Sequence, residues 1–223
     1  MREIVLDTET TGLNPKTGDR VVEIGCVEIV NQVATGETYH QYINPERDMP
    51  EEAFSVHGLS DDFLANKPIF ADVADSFLDF VGDANLVIHN AEFDMSFLNW
   101  ELEALGREHL TMSRATDTVR LARQKFPGAP ASLNALCKRF HIDNSNRKLH
   151  GALLDARLLA DVYLELIGGR QRGLSLDGQQ IVSEKEAATS RAKRPPRPYF
   201  ANQKELEAHQ EFLKKIPDSV WSQ

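Results

Sequence analysis

The chain has 223 residues, 41% of them hydrophobic and 26% charged, with a formal net charge of -9, enough apolar material for one domain of ordinary size plus an appendage. No run approaches the roughly 20 apolar residues of a membrane-spanning helix, and the start lacks a basic stretch followed by an apolar one, so neither a membrane nor an exported protein is expected. Cys26 and Cys137 lie in apolar surroundings without metal-ligand spacing and read as reduced, buried thiols of a cytosolic protein.

Ile4-Val5-Leu6 is an apolar run that breaks into Asp7-Thr8-Glu9 and then a turn, Thr10-Thr11-Gly12-Leu13. This is the pattern of a buried strand ending at a functional site. Alternation along a strand puts Asp7 and Glu9 on one face and Thr8 on the other. Two carboxylates held that close repel, so one pKa must rise or a cation must bind between them. Hard oxygen ligands suit Mg²⁺ or Mn²⁺ better than Zn²⁺. The same tripeptide also occurs in solvated loops, so the metal reading depends on further carboxylates converging on this pair.

Arg20 to Val30 and Thr35 to Ile43, rich in β-branched residues, read as two more strands of an antiparallel meander. Asn44 to Pro68 has too much Pro, Asp and Glu for a strand and reads as a long loop with short helical turns. A helix follows over Ala71 to Val81, with Val73, Phe77, Leu78 and Val81 on one face, then a short buried strand, Leu86-Val87-Ile88. The next helix runs from about Ala91 to Leu105, with Asn90 as its cap. Amphipathic segments at Thr118 to Phe126 and Ser132 to Phe140, a polar loop from Asp143 to Lys148, and a strongly periodic helix from about Gly151 to Ile167 complete an α/β sheet covered by helices.

Beyond Gly168-Gly169 the texture changes. Residues 170–198, ending in Arg194-Pro195-Pro196-Arg197-Pro198, read as an extended linker. Residues 199–223 form a separate element whose stripe of Leu206, Leu213 and Ile216, with Phe212 beside it, is too short to be a stable helix alone and reads as a partner-docking segment. Charge follows the same division: from Arg170 onward there are 10 basic and 7 acidic residues, and before it 15 and 27. An acidic domain repels nucleic acid at long range, so any grip on a phosphate backbone must come from bound cations and local contacts.

Two further acids sit on inward helix faces. Asp94, in the first turn of its helix, shares a face with Phe97 and Leu98; helix-end electrostatics is the plain alternative. Asp155 lies nearly opposite the solvated stripe of Arg157, Asp161 and Glu165, among Leu158, Leu159, Val162 and Leu166. A buried, unpaired carboxylate costs several kcal/mol, so it should be neutralised or coordinated. His150, five residues before Asp155, is a suitable general base next to a polarised water.

Taken in order, Asp7-x-Glu9, Asn90-Ala91-Glu92-Phe93-Asp94 and His150-x4-Asp155 resemble the DEDDh group of 3'-5' exonucleases over Arg2 to Ile167, with none of the five positions substituted. The resemblance implies a ribonuclease-H-like fold, a five-stranded mixed sheet flanked by helices. It also implies that Asp7, Glu9, Asp94 and Asp155 hold two Mg²⁺ or Mn²⁺ ions roughly 3.5 to 4 Å apart, with His150 as base and nucleoside 5'-monophosphates as product. Within it, Glu9, Thr10, Leu13 and Asp155, together with Glu52 and His57 of the Glu52 to Gly58 loop, would approach the 3'-terminal nucleotide.

The layout is similar to that of the family's proofreading members in bacterial replicative DNA polymerases. It implies a nuclease domain over 1–169, a linker over 170–198 and docking on the polymerase subunit through 199–223. Gln171 to Leu176 resembles a sliding-clamp motif with Leu176 in place of the usual aromatic; ordinary linker is the alternative. An RNA 3' exonuclease with the same five residues, and a catalytically idle scaffold, are the rival readings.

Overall fold

The computed structural model describes residues 1–147, 149–168 and 201–215. The linker and the clamp-like segment over Gln171 to Leu176 lie outside them. Five strands, β1 (Arg2–Thr10), β2 (Val21–Val30), β3 (Val33–Tyr42), β4 (Asn85–Ile88) and β5 (Ala115–Asp117), form one mixed sheet in the order β3-β2-β1-β4-β5. The meander pairs antiparallel, while β4 runs parallel to both β1 and β5. The implied mixed five-stranded sheet is therefore present.

The central strand explains the layering. Ile4 and Leu6 point into one core, with Phe70 and Phe77 of α3 (Phe70–Val81) and Phe97 of α4 (Ala91–Ala104). Val5 points into the other, with Ala122 of α5 (Thr118–Lys125), Leu136 of α6 (Leu133–Phe140) and Leu159 of α7 (Ala152–Leu166). A strand buried on both faces reads as continuous apolar sequence. By the same alternation Asp7 and Glu9 follow Val5 towards α7, and Thr8 follows Leu6 towards α4.

Three details differ from the sequence reading. The third strand begins at Val33 because Asn31 and Gln32 both adopt positive φ, 51° and 67°, as a two-residue hairpin turn requires. The loop over Asn44 to Pro68 contains α1 (Glu51–His57) and α2 (Asp61–Leu64). Strand β5, three residues reading Ala-Thr-Asp, carries no apolar run; it exists because Leu86, Val87 and Ile88 pair with it.

Helix α7 is held unusually close to the sheet. A Cβ on Gly25 would overlap the Leu153 nitrogen and the Ala152 carbonyl carbon, so the first turn of α7 rests directly on the β2 backbone. Gly25 lies opposite Asp7 across the β1–β2 ladder. The missing side chain is what lets Asp155 descend to the end of β1.

Helix α8 (Gln203–Leu213) is described by itself. Asn202 accepts from Glu205 N at 3.0 Å and Glu205 returns a bond to Asn202 N, a complete capping box. Leu206 and Phe212 are exposed. No helix among the described residues is long and apolar enough to cross a membrane.

Gly25→Ala should therefore push α7 off the sheet, costing about 1–3 kcal/mol and most of the nuclease activity. A thermal melt and activity equal to those of the unmodified chain would show that α7 does not depend on this contact.

Candidate active site

The two acids of β1 are in a hostile setting. Burial raises the Asp7 pKa well above the usual carboxylate value, and the charges of Asp94, Glu9 and Asp155 raise it further. Glu9, 7% exposed, is pushed to about 8, first by burial and then by Asp155 and Glu23. Glu23 stands directly opposite it on β2 and accepts a 2.7 Å bond from His40 Nε2 if that nitrogen carries the proton. Glu9 Oε1 is buried with no hydrogen-bond partner among the described residues.

Asp94 reaches this acidic end from the opposite face. Pairing between β1 and β4 ends at Leu6 and Ile88, which leaves the next amide of β1 uncovered on that side. Asp94 fills the gap: its Oδ1 accepts from Thr8 N at 3.0 Å and from Thr8 Oγ1 at 2.7 Å. Burial still outweighs those bonds and lifts its pKa to about 7. Asn90 occupies the position before α4, but its side chain makes no capping bond. It instead adopts a left-handed conformation, φ 70°, and donates its N–H to Asp117 Oδ1 at 3.2 Å.

Asp155, 3% exposed, is gripped by Arg147, whose Nε and one terminal nitrogen donate to its two oxygens at 2.6 Å each. Arg147 also donates to Asn134 Oδ1 at 2.9 Å and lies 3.0 Å from His150 Nδ1. His150 Nδ1 is 3.5 Å from Asp155 Oδ2. Burial and the neighbouring guanidinium lower the His150 pKa, so the ring is neutral near pH 7 and able to take a proton. The segment carrying it is fastened to α1: His150 N donates to Val56 O at 3.0 Å, and Leu149 Cδ1 lies 2.6 Å from where a Cβ on Gly58 would sit. Arg147 was invisible in the sequence, since it sits in an aperiodic polar loop with no spacing that ties it to Asp155.

A cleft of about 440 Å³ opens beside Glu9 between the turn after β1 and α1. Of the residues expected to meet a terminal nucleotide, Glu9, Thr10, Leu13, Glu52 and His57 line it. Asp155 does not; it is buried beneath Arg147. Thr10 Oγ1 donates to Gly12 O at 2.6 Å and so shapes the turn, while Leu13 is 85% exposed at the rim. His57 Nδ1 accepts from Leu59 N at 3.0 Å, and burial lowers its pKa. Phe93 and Val56, not singled out from the sequence, supply apolar walls.

The residues fit divalent cations. Glu9, His150 and Asp155 each offer a donor atom within 4.8 Å of one another, and Asp7 and Asp94 beside them share with Glu9 a pKa raised towards protonation. A donor set dominated by carboxylate oxygens favours hard ions.

Over residues 4–163 the sequence matches the Exonuclease family, RNase_T, and the chain belongs to that family. It is 50% identical to the DNA polymerase III subunit epsilon of Rickettsia felis over 222 residues, which cover 97% of each chain. It is 46% identical to the protein of the same name from Escherichia coli K12, covering 99% of this chain and 97% of that one. Among solved structures, Exonuclease X in complex with 5' overhanging duplex DNA aligns with TM-score 0.59 and 25% identity, over 74% of this chain and 91% of that one. The nuclease domain of 3'hExo, a DEDDh member bound to rAMP, shares the fold at TM-score 0.63 and 17% identity, over 74% and 91%.

The raised carboxylate pKa values fix the sign of a pH effect. An acid whose folded pKa lies above its unfolded value costs nothing while both states are protonated. It destabilises progressively as pH rises from the unfolded to the folded pKa, and the penalty is constant beyond. For Glu9 that window ends at about 8. In EDTA, Glu9→Gln should match the unmodified chain near pH 4, become relatively more stable as pH rises from the unfolded value of 4.5 and level off above about pH 8. Parallel melting curves across that range would contradict the crowded-acid description.

Proposed function

We propose that this chain is a 3'-5' exonuclease that removes mismatched 3'-terminal nucleotides from DNA, working as the proofreading subunit of a bacterial replicative polymerase in the cytoplasm. The observation that carries this is the convergence of Asp7, Glu9, Asp94 and Asp155, from both faces of one sheet, beside a cleft, with His150 Nδ1 3.5 Å from Asp155.

In this reading the 3'-terminal nucleotide enters the cleft. Leu13 and Phe93 offer apolar surface to its base, the turn over Thr10 to Gly12 bounds its sugar, and Glu52 and His57 stand at the α1 wall. Asp7, Glu9, Asp94 and Asp155 would hold two Mg²⁺ or Mn²⁺ ions, which lower the pKa of the attacking water and offset charge on the scissile phosphate. Arg147 must then give up Asp155. His150 takes the proton from the water at a ring nitrogen, and Asp155, 3.5 Å from Nδ1, stabilises the imidazolium. The water oxygen bonds to phosphorus, the bond to the preceding nucleotide's 3' oxygen breaks, and that oxygen is protonated from solvent. A nucleoside 5'-monophosphate leaves.

The acidic domain suits a proofreader that is tethered rather than self-anchored. One that gripped DNA tightly would compete with synthesis, whereas tethering supplies effective concentration without affinity. Residues 199–223 would dock on the alpha subunit of DNA polymerase III, through the stripe of Leu206 and Leu213 on α8, with the exposed Phe212 beside it. Gln171 to Leu176 is a candidate contact for the sliding clamp.

Digestion of matched 3'-labelled DNA and RNA oligonucleotides with Mg²⁺ or Mn²⁺ tests the chemistry. Stepwise DNA shortening is expected, lost in EDTA and in Asp7→Ala, and slowed about 10²- to 10⁴-fold in His150→Ala. Preferential RNA digestion would move the protein to RNA processing, and activity that survives EDTA would remove the metal site. Truncation after Gly169 should keep nuclease activity and end co-elution with the alpha subunit. Continued co-elution would place docking elsewhere.

A further inference from the structure

We propose that a second groove, between α5, the start of α6 and the turn from β4 into α4, holds the phosphate backbone of the DNA strand leading into the active site. The proposal rests on the exonuclease reading and extends it to the nucleotides before the terminal one. The groove has a volume of about 860 Å³ and is lined by His89, Asn90, Arg120, Arg123, Gln124 and Ser132, among others.

Its position follows from the sheet. Strands β1, β4 and β5 are parallel, so the turn after β4 and the start of α5 lie at the same end as Asp7 and Glu9. His89 in the groove is close enough to Asp155 and Arg147 to feel both charges. A strand whose last nucleotide occupies the first cleft passes the acids and meets this surface next.

Its two arginines differ from most in the domain, although Arg157 on α7 is likewise exposed and unpaired among the described residues and Arg139 lies over the Phe126 ring. Arg2, Arg20, Arg47, Arg107 and Arg147 are each paired with a carboxylate, and Arg114 donates to the Gly82 and Ala84 carbonyls. Arg120 and Arg123 have no side-chain ion pair or hydrogen bond among the described residues, and both are exposed. Spaced three apart on α5, they share one side of it. Arg123 sits in the last turn, where a cation suits the helix dipole. Arg120 sits in the first, where it does not. Helix electrostatics thus leaves Arg120 unexplained, whereas an anion in the groove would satisfy both.

Two acids also line the groove. Asp117 is engaged, accepting from Asn90 N and Val119 N, and Glu92 is exposed. Ser132 accepts from Ala135 N to cap α6, which leaves its hydroxyl proton available to a phosphate oxygen. Guanidinium forks, a hydroxyl and the Gln124 amide on one open surface match phosphodiester oxygens without reading bases.

The test is the double variant Arg120→Gln/Arg123→Gln in the full chain, with its melting temperature checked. Two substrates are compared with Mn²⁺ at 50 to 200 mM salt: a single-stranded DNA oligonucleotide, and the p-nitrophenyl ester of thymidine 5'-monophosphate, which has no upstream phosphates. Expected are an oligonucleotide KM raised about tenfold, kcat unchanged, and a log-log salt slope shallower by about 1.4, the release expected for two single-strand phosphate contacts. Turnover of the ester should not change. Unaltered oligonucleotide KM and salt slope, or equal losses on both substrates, would overturn the proposal. Fluorescence anisotropy of the labelled oligonucleotide in EDTA reads the groove without chemistry. Weaker binding by the variant supports it even if the unmodified chain cleaves neither substrate, an outcome that would sink the exonuclease reading instead. Equal affinity would overturn the groove.

Discussion

Carboxylate repulsion at the end of β1 is the constraint to which the rest of this structure answers. Asp7, Glu9 and Asp94 all have raised pKa values, desolvation being the largest cause for each and neighbouring carboxylates adding to it. A fold gains nothing in stability from such a cluster; burying like charges together is costly unless something neutralises them. The structure shows partial answers: two Thr8 bonds on Asp94, and the guanidinium of Arg147 on Asp155. None reaches Glu9 Oε1. What remains is a deficit of positive charge in a place where hard cations can enter.

The scaffold brings that cluster together by simple means. Alternation on one central strand aims two acids at α7 and Thr8 at α4. The early end of β4 exposes the Thr8 amide that Asp94 takes, and a glycine opposite Asp7 lets α7 press close enough to deliver Asp155. Each device is local, yet the four acids come from residues up to 148 positions apart, between Asp7 and Asp155.

That division explains what could be read from the sequence. The acids were legible because polar residues on apolar faces violate the periodicity around them, and the main helices and first strands were legible because they obey it. Strand β5 was not, since Ala115-Thr116-Asp117 becomes a strand only through pairing with β4. Arg147 was missed for a related reason: a loop residue has no period, and its meaning lies wholly in its partner. Asn90 holds the position before α4 that its sequence indicates but not a capping role, because a left-handed residue and a side-chain cap look alike in sequence. Glu23, opposite Glu9, read as an ordinary strand residue, although its charge is among those that raise the Glu9 pKa.

The segment bearing His150 has a consequence of another kind. It has no regular structure of its own at Leu149-His150, and it is fastened to α1, the wall of the cleft, by the bond from His150 N to Val56 O. The imidazole and the cleft wall are therefore tied by a backbone bond. In the proposed reaction, a nucleotide that displaced α1 would also disturb the imidazole, which would couple seating to hydrolysis. Fidelity would then be a matter of timing: an end that seated poorly would leave before the base was aligned, and a frayed end that settled fully would be cut.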